Sequence, residues 1–469
     1  VGLGARSVSQ TLVPLLLKEQ TVDAKQITIV DKLDVRNRFK SSIEAGVNYI
    51  IDELTRANLK EFLAKYLNPG DFLVDLAWNI DANEIMGWCH DHDVIYLNTS
   101  VEMWDPNSDP ASRKPQEKTL YHRHMKLRKL TDTWGGKGKT AIVEHGANPG
   151  LVSSLVKKGL VDIATKALAE NKAGADVKAA LDSENYPALA HALGVKVIHI
   201  AERDTQVSDV PKAFNEFVNT WSVEGFYEEG MATAEMGWGT HEKKLPPRAV
   251  LHEDGPKNQI AMAQPGATTW VRSWVPDMTI TGMVIRHGEA FTISDHLTVW
   301  EGDKAIYRPT VHYAYCPTDA AIASMRELQH MNWELSPNQR IMNNEIIRGE
   351  DRLGVLLMGH VYKSWWVGSL LSIDDARKLL PDQSATTLQV GSAVFAAVKW
   401  AMENPDRGYL VPDDLPWREI VATADKYWGL VSVQSDFDPV STRIDPFEGW
   451  NGIEYDNEDP WQFTNFLVQ

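Results

Sequence analysis

The sequence is poor in cysteine: 469 residues carry only Cys89 and Cys316. Two thiols cannot build a disulfide framework, so both are read as free and a reducing, cytoplasmic setting is expected. No run of about 18 apolar residues exists, so a membrane-spanning helix is not expected, and no secretory leader is visible. Basic residues are also in deficit. The 47 Lys and Arg stand against 64 Asp and Glu, a net charge of −17. Nucleic-acid and anionic-membrane surfaces need clustered cations, so neither partner is expected. His-Glu-x-x-His and paired Cys-x-x-Cys are missing. Cys89-His90-Asp91-His92 fits no zinc-ligand spacing, so no metal centre is expected. No Gly-x-Ser-x-Gly elbow points to a serine hydrolase.

What is present is an ordinary globular composition, 43% hydrophobic and 24% charged, with 17 tryptophans. Strand-like runs at Ile27–Asp31, Phe72–Leu76, Val94–Leu97 and Ala141–Val143 alternate with helical patterns, which implies a parallel sheet covered on both faces. From Thr268 to Tyr315 the pattern changes to short Thr-, Val-, Trp- and Tyr-rich runs, including Phe291–Ile293, which favour an antiparallel sheet. Residues 160–195 and 319–330 read as helices over that sheet. Helical signals return from Leu356 to Met402. The expected fold is α/β: an N-terminal Rossmann-type parallel sheet at 1–147 and a second, α+β domain with a mainly antiparallel sheet at 148–354. Helices near 355–402 are expected to pack back on the first domain, and 403–469 to form an irregular wrap.

Gly2-x-Gly4-x-x-Ser7 opens the first helical run. A glycine loop at a helix start presents free backbone N–H groups, and the helix dipole adds attraction for a pyrophosphate. Ser7 replaces the usual third glycine, whose task is close packing of helix on strand. Asp31 ends the next strand, where a carboxylate bonds adenosine ribose hydroxyls and repels a 2′-phosphate. NAD is the cofactor this pattern selects. Lys32, Arg36 and Arg38 close behind keep NADP as the alternative, and a plain strand–turn–helix with Asp31 as a cap is the bland one.

The segment Glu202–Glu242 interleaves carboxylates with aromatics: Glu202-Arg203-Asp204, Trp221-Ser222-Val223-Glu224, Phe226-Tyr227-Glu228-Glu229. Such a mixture suits an organic cation, because the carboxylate supplies charge and an indole face adds about 2 kcal/mol when desolvated. Surface glutamates around core tryptophans are the competing reading. Asn148, in Gly146-Ala147-Asn148-Pro149-Gly150, sits at the end of a parallel strand and either contacts a ligand there or shapes a tight turn. His287 is a base, an orienter or a structural histidine. His122 and His124 read as a basic helix face.

Several blocks resemble bacterial homospermidine synthases. They are Glu144–Ser153, Ala201–Gln206, Asn219–Phe226, Gly237–Glu242, Gly354–His360 and Thr387–Val390. The resemblance runs from the glycine loop to about Asp414. It implies a relative of saccharopine dehydrogenases, usually a homodimer, that uses NAD to join two putrescines into sym-homospermidine with release of ammonia. Spermidine is implied as a further aminobutyl donor. The family's catalytic glutamates match Glu202 and Glu229, its cation–π tryptophan Trp221, and its histidine near the nicotinamide His287. Asn148 and Glu102 match substrate-binding positions. Ser7 departs from the family's glycine, and Asn79 stands where an acidic residue is expected.

The chemistry asks for such a set. Putrescine is a dication at neutral pH, and hydride leaves a carbon only when its amine is neutral, so one end needs a base while carboxylates hold the other. Two rivals share the composition. An opine- or saccharopine-type dehydrogenase would use Arg203, Arg272 or Arg286 to hold a keto acid, and a non-catalytic sensor would bind NAD and polyamine without turnover.

Overall fold

The computed structural model describes residues 1–104, 113–441, 443–450 and 454–468. The expected wrap at 403–469 therefore lies partly outside the described residues. Seven short strands form the first sheet, all parallel. In spatial order they are Tyr409–Leu410, Ala141–Ile142, Ile95–Asn98, Phe72–Asp75, Gly2–Leu3, Thr28–Asp31 and Asn48–Ile51. Chain order reverses at Gly2–Leu3, and a crevice opens beyond the carboxyl ends of the strands at such a switch point. Helix Ser7–Lys18 follows directly and packs on helix Ala385–Glu403. The approach is close at Gly391, where a Cβ would lie 2.4 Å from Thr11 Cγ2.

The second sheet has eleven strands with Val197–Asp204 near its centre. Thr310–Cys316 flanks it in parallel and Glu350–His360 antiparallel, and every other pairing in the sheet is antiparallel. The sequence thus leads to the observed fold class, a parallel sheet joined to a mainly antiparallel one. Helix Leu151–Ala169 covers the second sheet, and Gly159 allows contact: a Cβ there would sit 2.9 Å from Leu357 Cδ1.

Three local expectations are corrected. Leu356–Ser372 is not helical but belongs to the hairpin Glu350–His360 and Lys363–Ser372. Both strands are buried on both faces, and such strands read as continuous apolar runs that periodicity cannot separate from buried helix. Phe291–Ile293 lies in helix Glu289–His296 rather than a strand. Residues 409–435 are ordered as strand Tyr409–Leu410, helix Trp417–Trp428 and strand Leu430–Ser435, and the first of these completes the parallel sheet. No helix among the described residues is long and apolar enough to cross a membrane.

Candidate active site

A cleft opens between the carboxyl ends of the parallel strands and the second sheet. Loops after four parallel strands reach it through Arg6 and Ser7, Leu76–Trp78, Thr99–Glu102 and Glu144–Pro149. The opposite wall carries Glu202, Trp221, Glu228, Glu229, Arg286, His287 and Tyr313. Glu102, Asn148, Glu202, Trp221, Glu229, His287 and Ser7 therefore meet in one place. Asn79 has φ 61° and does not line the cleft, although its neighbour Trp78 does.

Glu202 stands on the central strand, beside Tyr315 on one neighbour and Leu353 on the other. It is buried, and one oxygen, Oε2, accepts from Asn148 Nδ2 at 3.2 Å and from the Tyr313 hydroxyl. Burial, reinforced by nearby Asp204, pushes its carboxyl up to about 8. Asn148 reaches it because the loop folds tightly. Gly150 has φ +133°, and a Cβ there would lie 2.1 Å from the Gly146 carbonyl oxygen.

Trp221 precedes helix Val223–Met231, which Ser222 caps by accepting from Gly225 N–H at 2.9 Å. The indole lies against that first turn, where a Cβ on Gly225 would meet its Cζ3 at 2.9 Å, and its N–H donates to the Tyr315 hydroxyl at 2.9 Å. His287 Nδ1 faces Glu289 Oε1 at 3.1 Å, and Nε2 faces Glu229 Oε2 at 3.4 Å. Burial opposes a charge on this imidazole, but the two carboxylates more than offset it and hold the pKa well above the usual histidine value.

Glu228 is buried in the opposite electrostatic setting. Arg123 Nη2 donates to it at 2.9 Å, Arg286 Nη2 donates to the same oxygen, and Trp78 Nε1 donates to the other at 3.0 Å. Burial would raise its pKa, yet the two guanidiniums bring it down to about 2. Among the described residues, the Glu102 carboxyl receives only the Ser100 hydroxyl, at 2.8 Å on Oε1, and Oε2 has no partner. Desolvation and then the Glu228 charge raise it to about 7. Among the described residues, the cleft presents five glutamates (102, 144, 202, 228 and 229) against three arginines (6, 123 and 286), and no lysine lines it. Arg203 is turned to the Pro317 carbonyl and Asp319, and Arg272 does not line the cleft.

Sequence reasoning missed Tyr313, Trp78, Arg123 and Glu289. Tyr313, Trp78 and Arg123 have no local signal, since each matters through a partner distant in the chain, whereas Glu289 lies only two residues from its partner His287 and was overlooked at the acidic start of a helix. Glu228 was visible in the acid–aromatic segment but not distinguished from Glu229. His124 is corrected outright: it is fully buried, with Nε2 2.7 Å from Glu144 Oε2, not part of a basic surface face.

A second groove joins the cleft at Arg6 and Ser7 and is walled by Asp31, Leu33, Val35 and Arg38. The glycine loop is shaped as a dinucleotide cradle. Gly4 has φ +87°, and a Cβ would lie 2.7 Å from the Leu76 carbonyl oxygen, whereas above Gly2 the space is open. Helix Ser7–Lys18 has no side-chain cap and no acidic residue in its first turn, which leaves its N–H groups available to an anion. Asp31 Oδ2 accepts from Ala5 N–H at 2.7 Å and Oδ1 from Leu33 N–H at 2.8 Å, fixing the carboxylate beside the groove. The residues fit NAD. Arg36 is spent on Asp34 at 2.5 Å and Lys32 faces Glu53 at 3.5 Å, so of the three nearby bases only Arg38 lines the groove.

Comparison with known proteins agrees with this geometry. Residues 1–142 match the family described as saccharopine dehydrogenase NADP binding domain, and 146–425 match saccharopine dehydrogenase C-terminal domain. The chain is 38% identical to the homospermidine synthase of Blastochloris viridis, over 100% of this chain and 97% of that one. It is also 38% identical to the homospermidine synthase of Mesorhizobium japonicum, covering 100% and 96%. A crystal structure of homospermidine synthase from Legionella pneumophila in complex with NAD superposes with a TM-score of 0.88 at 35% identity, covering 100% and 97%. Saccharopine dehydrogenase from Saccharomyces cerevisiae shares the fold, with a TM-score of 0.50 at 14% identity.

Proposed function

The chain belongs to the homospermidine synthase family, and from that premise we propose that it moves an aminobutyl group between two putrescines, giving sym-homospermidine and ammonia. The observation that carries the reading is the composition of one cleft, where excess carboxylates, an indole face and the mouth of a dinucleotide groove converge. A diamine cation is what such a wall attracts.

Gly2, Gly4 and Ser7 hold the diphosphate of NAD, and Asp31 holds its adenosine ribose. The Asp31 carboxylate beside the groove disfavours a 2′-phosphate, which supports NAD although the matching family is described as NADP-binding. Bound NAD accepts a hydride from the substrate and later returns it, so the net change is a transfer.

Glu202 and Glu229 divide the two duties, deprotonating one amine and holding the other as ammonium. An ordinary carboxylate is a poor match for an alkylammonium, but a carboxyl raised to about 8 narrows that gap, so Glu202 is the better base. Asn148 and Tyr313 orient it. Glu102 and Glu229 hold the remaining ammonium. His287 is kept charged by Glu289 behind it and Glu229 in front, and supplies a proton on the cleft wall. Trp221 faces the cation that forms when the aminated carbon is oxidised. The second amine attacks that carbon directly, and no enzymic lysine is required. A homodimer, a cytoplasmic location and use of spermidine as a second donor belong to the same reading through the family resemblance.

The keto-acid rival is less well served, because Arg123 and Arg286 are already committed to Glu228. Incubation of purified protein with putrescine and catalytic NAD separates the readings. The proposal expects homospermidine and ammonia in equal amounts without accumulation of NADH. Stoichiometric NADH without triamine would establish a dehydrogenase, and bound NAD with neither product a sensor.

A further inference from the structure

Arg6 occupies an unusual position. It is the last residue before helix Ser7–Lys18, and it lines both the amine cleft and the dinucleotide groove. Its guanidinium is not turned into the groove alone. Nη1 pairs with Glu224 Oε2 at 2.6 Å, across a sequence separation of 218 residues. Glu224 lies in the first turn of helix Val223–Met231, the helix that carries Glu228 and Glu229 and begins just after Trp221. The pair therefore ties the glycine loop to the element that presents the amine-binding side chains.

The bond is one that can be exchanged. Its side chains are 41% and 26% exposed, and ion pairs at such exposure contribute little to stability. A diphosphate held by the glycine loop brings a stronger competitor for the same guanidinium, since it carries more charge and accepts two parallel N–H donors from arginine.

We propose that Arg6 is a positioning residue shared between the two sites: it leaves Glu224 for the diphosphate of the bound dinucleotide, so that cofactor binding releases helix Val223–Met231 for the amine. The proposal rests on the NAD reading above. It assigns opposite effects to the two partners of one ion pair. Glu224 competes with the cofactor for Arg6, so its removal favours binding, while loss of Arg6 weakens it.

The test is calorimetric titration of the cofactor-stripped full chain with NAD, ADP-ribose and adenosine. Arg6→Gln is expected to weaken NAD and ADP-ribose about tenfold or more, the loss of a charge-assisted contact. Glu224→Gln is expected to tighten both about two- to fivefold, the scale of an exposed pair. Adenosine, which has no diphosphate, should bind equally to all variants. In the Arg6→Gln background, Glu224→Gln should have no further effect on NAD. Equal or weaker NAD binding by Glu224→Gln, with Arg6 intact, overturns the shared role while leaving the NAD reading in place. Failure of the unaltered chain to bind NAD or ADP-ribose overturns both.

Discussion

Glu202 and Glu228 line the same cleft, both are buried, and their surroundings drive them in opposite directions. Glu202 has neutral donors, Asn148 and Tyr313, with Asp204 as its nearest acidic influence, and its pKa rises to about 8. Glu228 has Arg123 and Arg286 on one oxygen and falls to about 2. Burial raises both; the guanidinium pair reverses the sign at one of them. A titratable acid near neutrality suits proton transfer, and a permanently ionised one clamped by two arginines suits architecture. Two glutamates in one wall are thus divided between chemistry and scaffold by their neighbours.

Exchanging each carboxylate for an amide should separate these roles. Glu202→Gln should cost about a hundredfold or more in turnover, the usual range for a lost general base. In the unaltered enzyme Glu202 acts deprotonated, so kcat/KM should rise as pH increases through about 8, and the amide variant should lack that limb. A pH–rate profile unchanged by the substitution would remove Glu202 from proton transfer. Glu228→Gln should act on folding instead. Two buried guanidiniums would lose their counter-ion, at a cost of about 3 kcal/mol in denaturant unfolding. Glu228 has a lowered folded pKa, so its contribution is fully present above the unfolded value and is lost as pH falls toward about 2. The gap between the two proteins should therefore shrink in acid.

Trp221→Ala should lower turnover about 30-fold, equivalent to ~2 kcal/mol of desolvated cation–π attraction, and leave NAD affinity unchanged. A parallel loss of NAD affinity would make the indole structural. The smallest effect is expected at Tyr313→Phe. The hydroxyl favours the Glu202 carboxylate, so its loss should move the rising pH limb upward by about one unit. A downward move would contradict the assigned hydrogen bond.

Legibility in the sequence followed the range of each interaction. The glycine loop and Asp31 are local features of one strand–loop–helix unit, and the alternating pattern pointed to the parallel sheet. Trp221 and Glu229 stood out because carboxylates and aromatics alternate there. Asn148 and Glu202, far apart in the chain, were brought together only by the family resemblance. Tyr313 remained hidden because its role depends on a parallel strand pairing, and Arg123 because its partner is 105 residues away. The stretch Leu356–Ser372 of the hairpin was misread for a different reason, since strands covered on both faces lose the alternation that marks a strand.

In the proposed reaction one hydride leaves putrescine and returns to the product within the same site. Putrescine carrying deuterium on both amine-bearing carbons, supplied with catalytic unlabelled NAD, tests it by mass spectrometry of the triamine. Homospermidine is expected to retain all of the deuterium of both precursors from the first turnover onward, because oxidised NAD brings no hydride of its own. Triamine that lacks one deuterium per molecule throughout would mean that the hydride comes from elsewhere, and would contradict it.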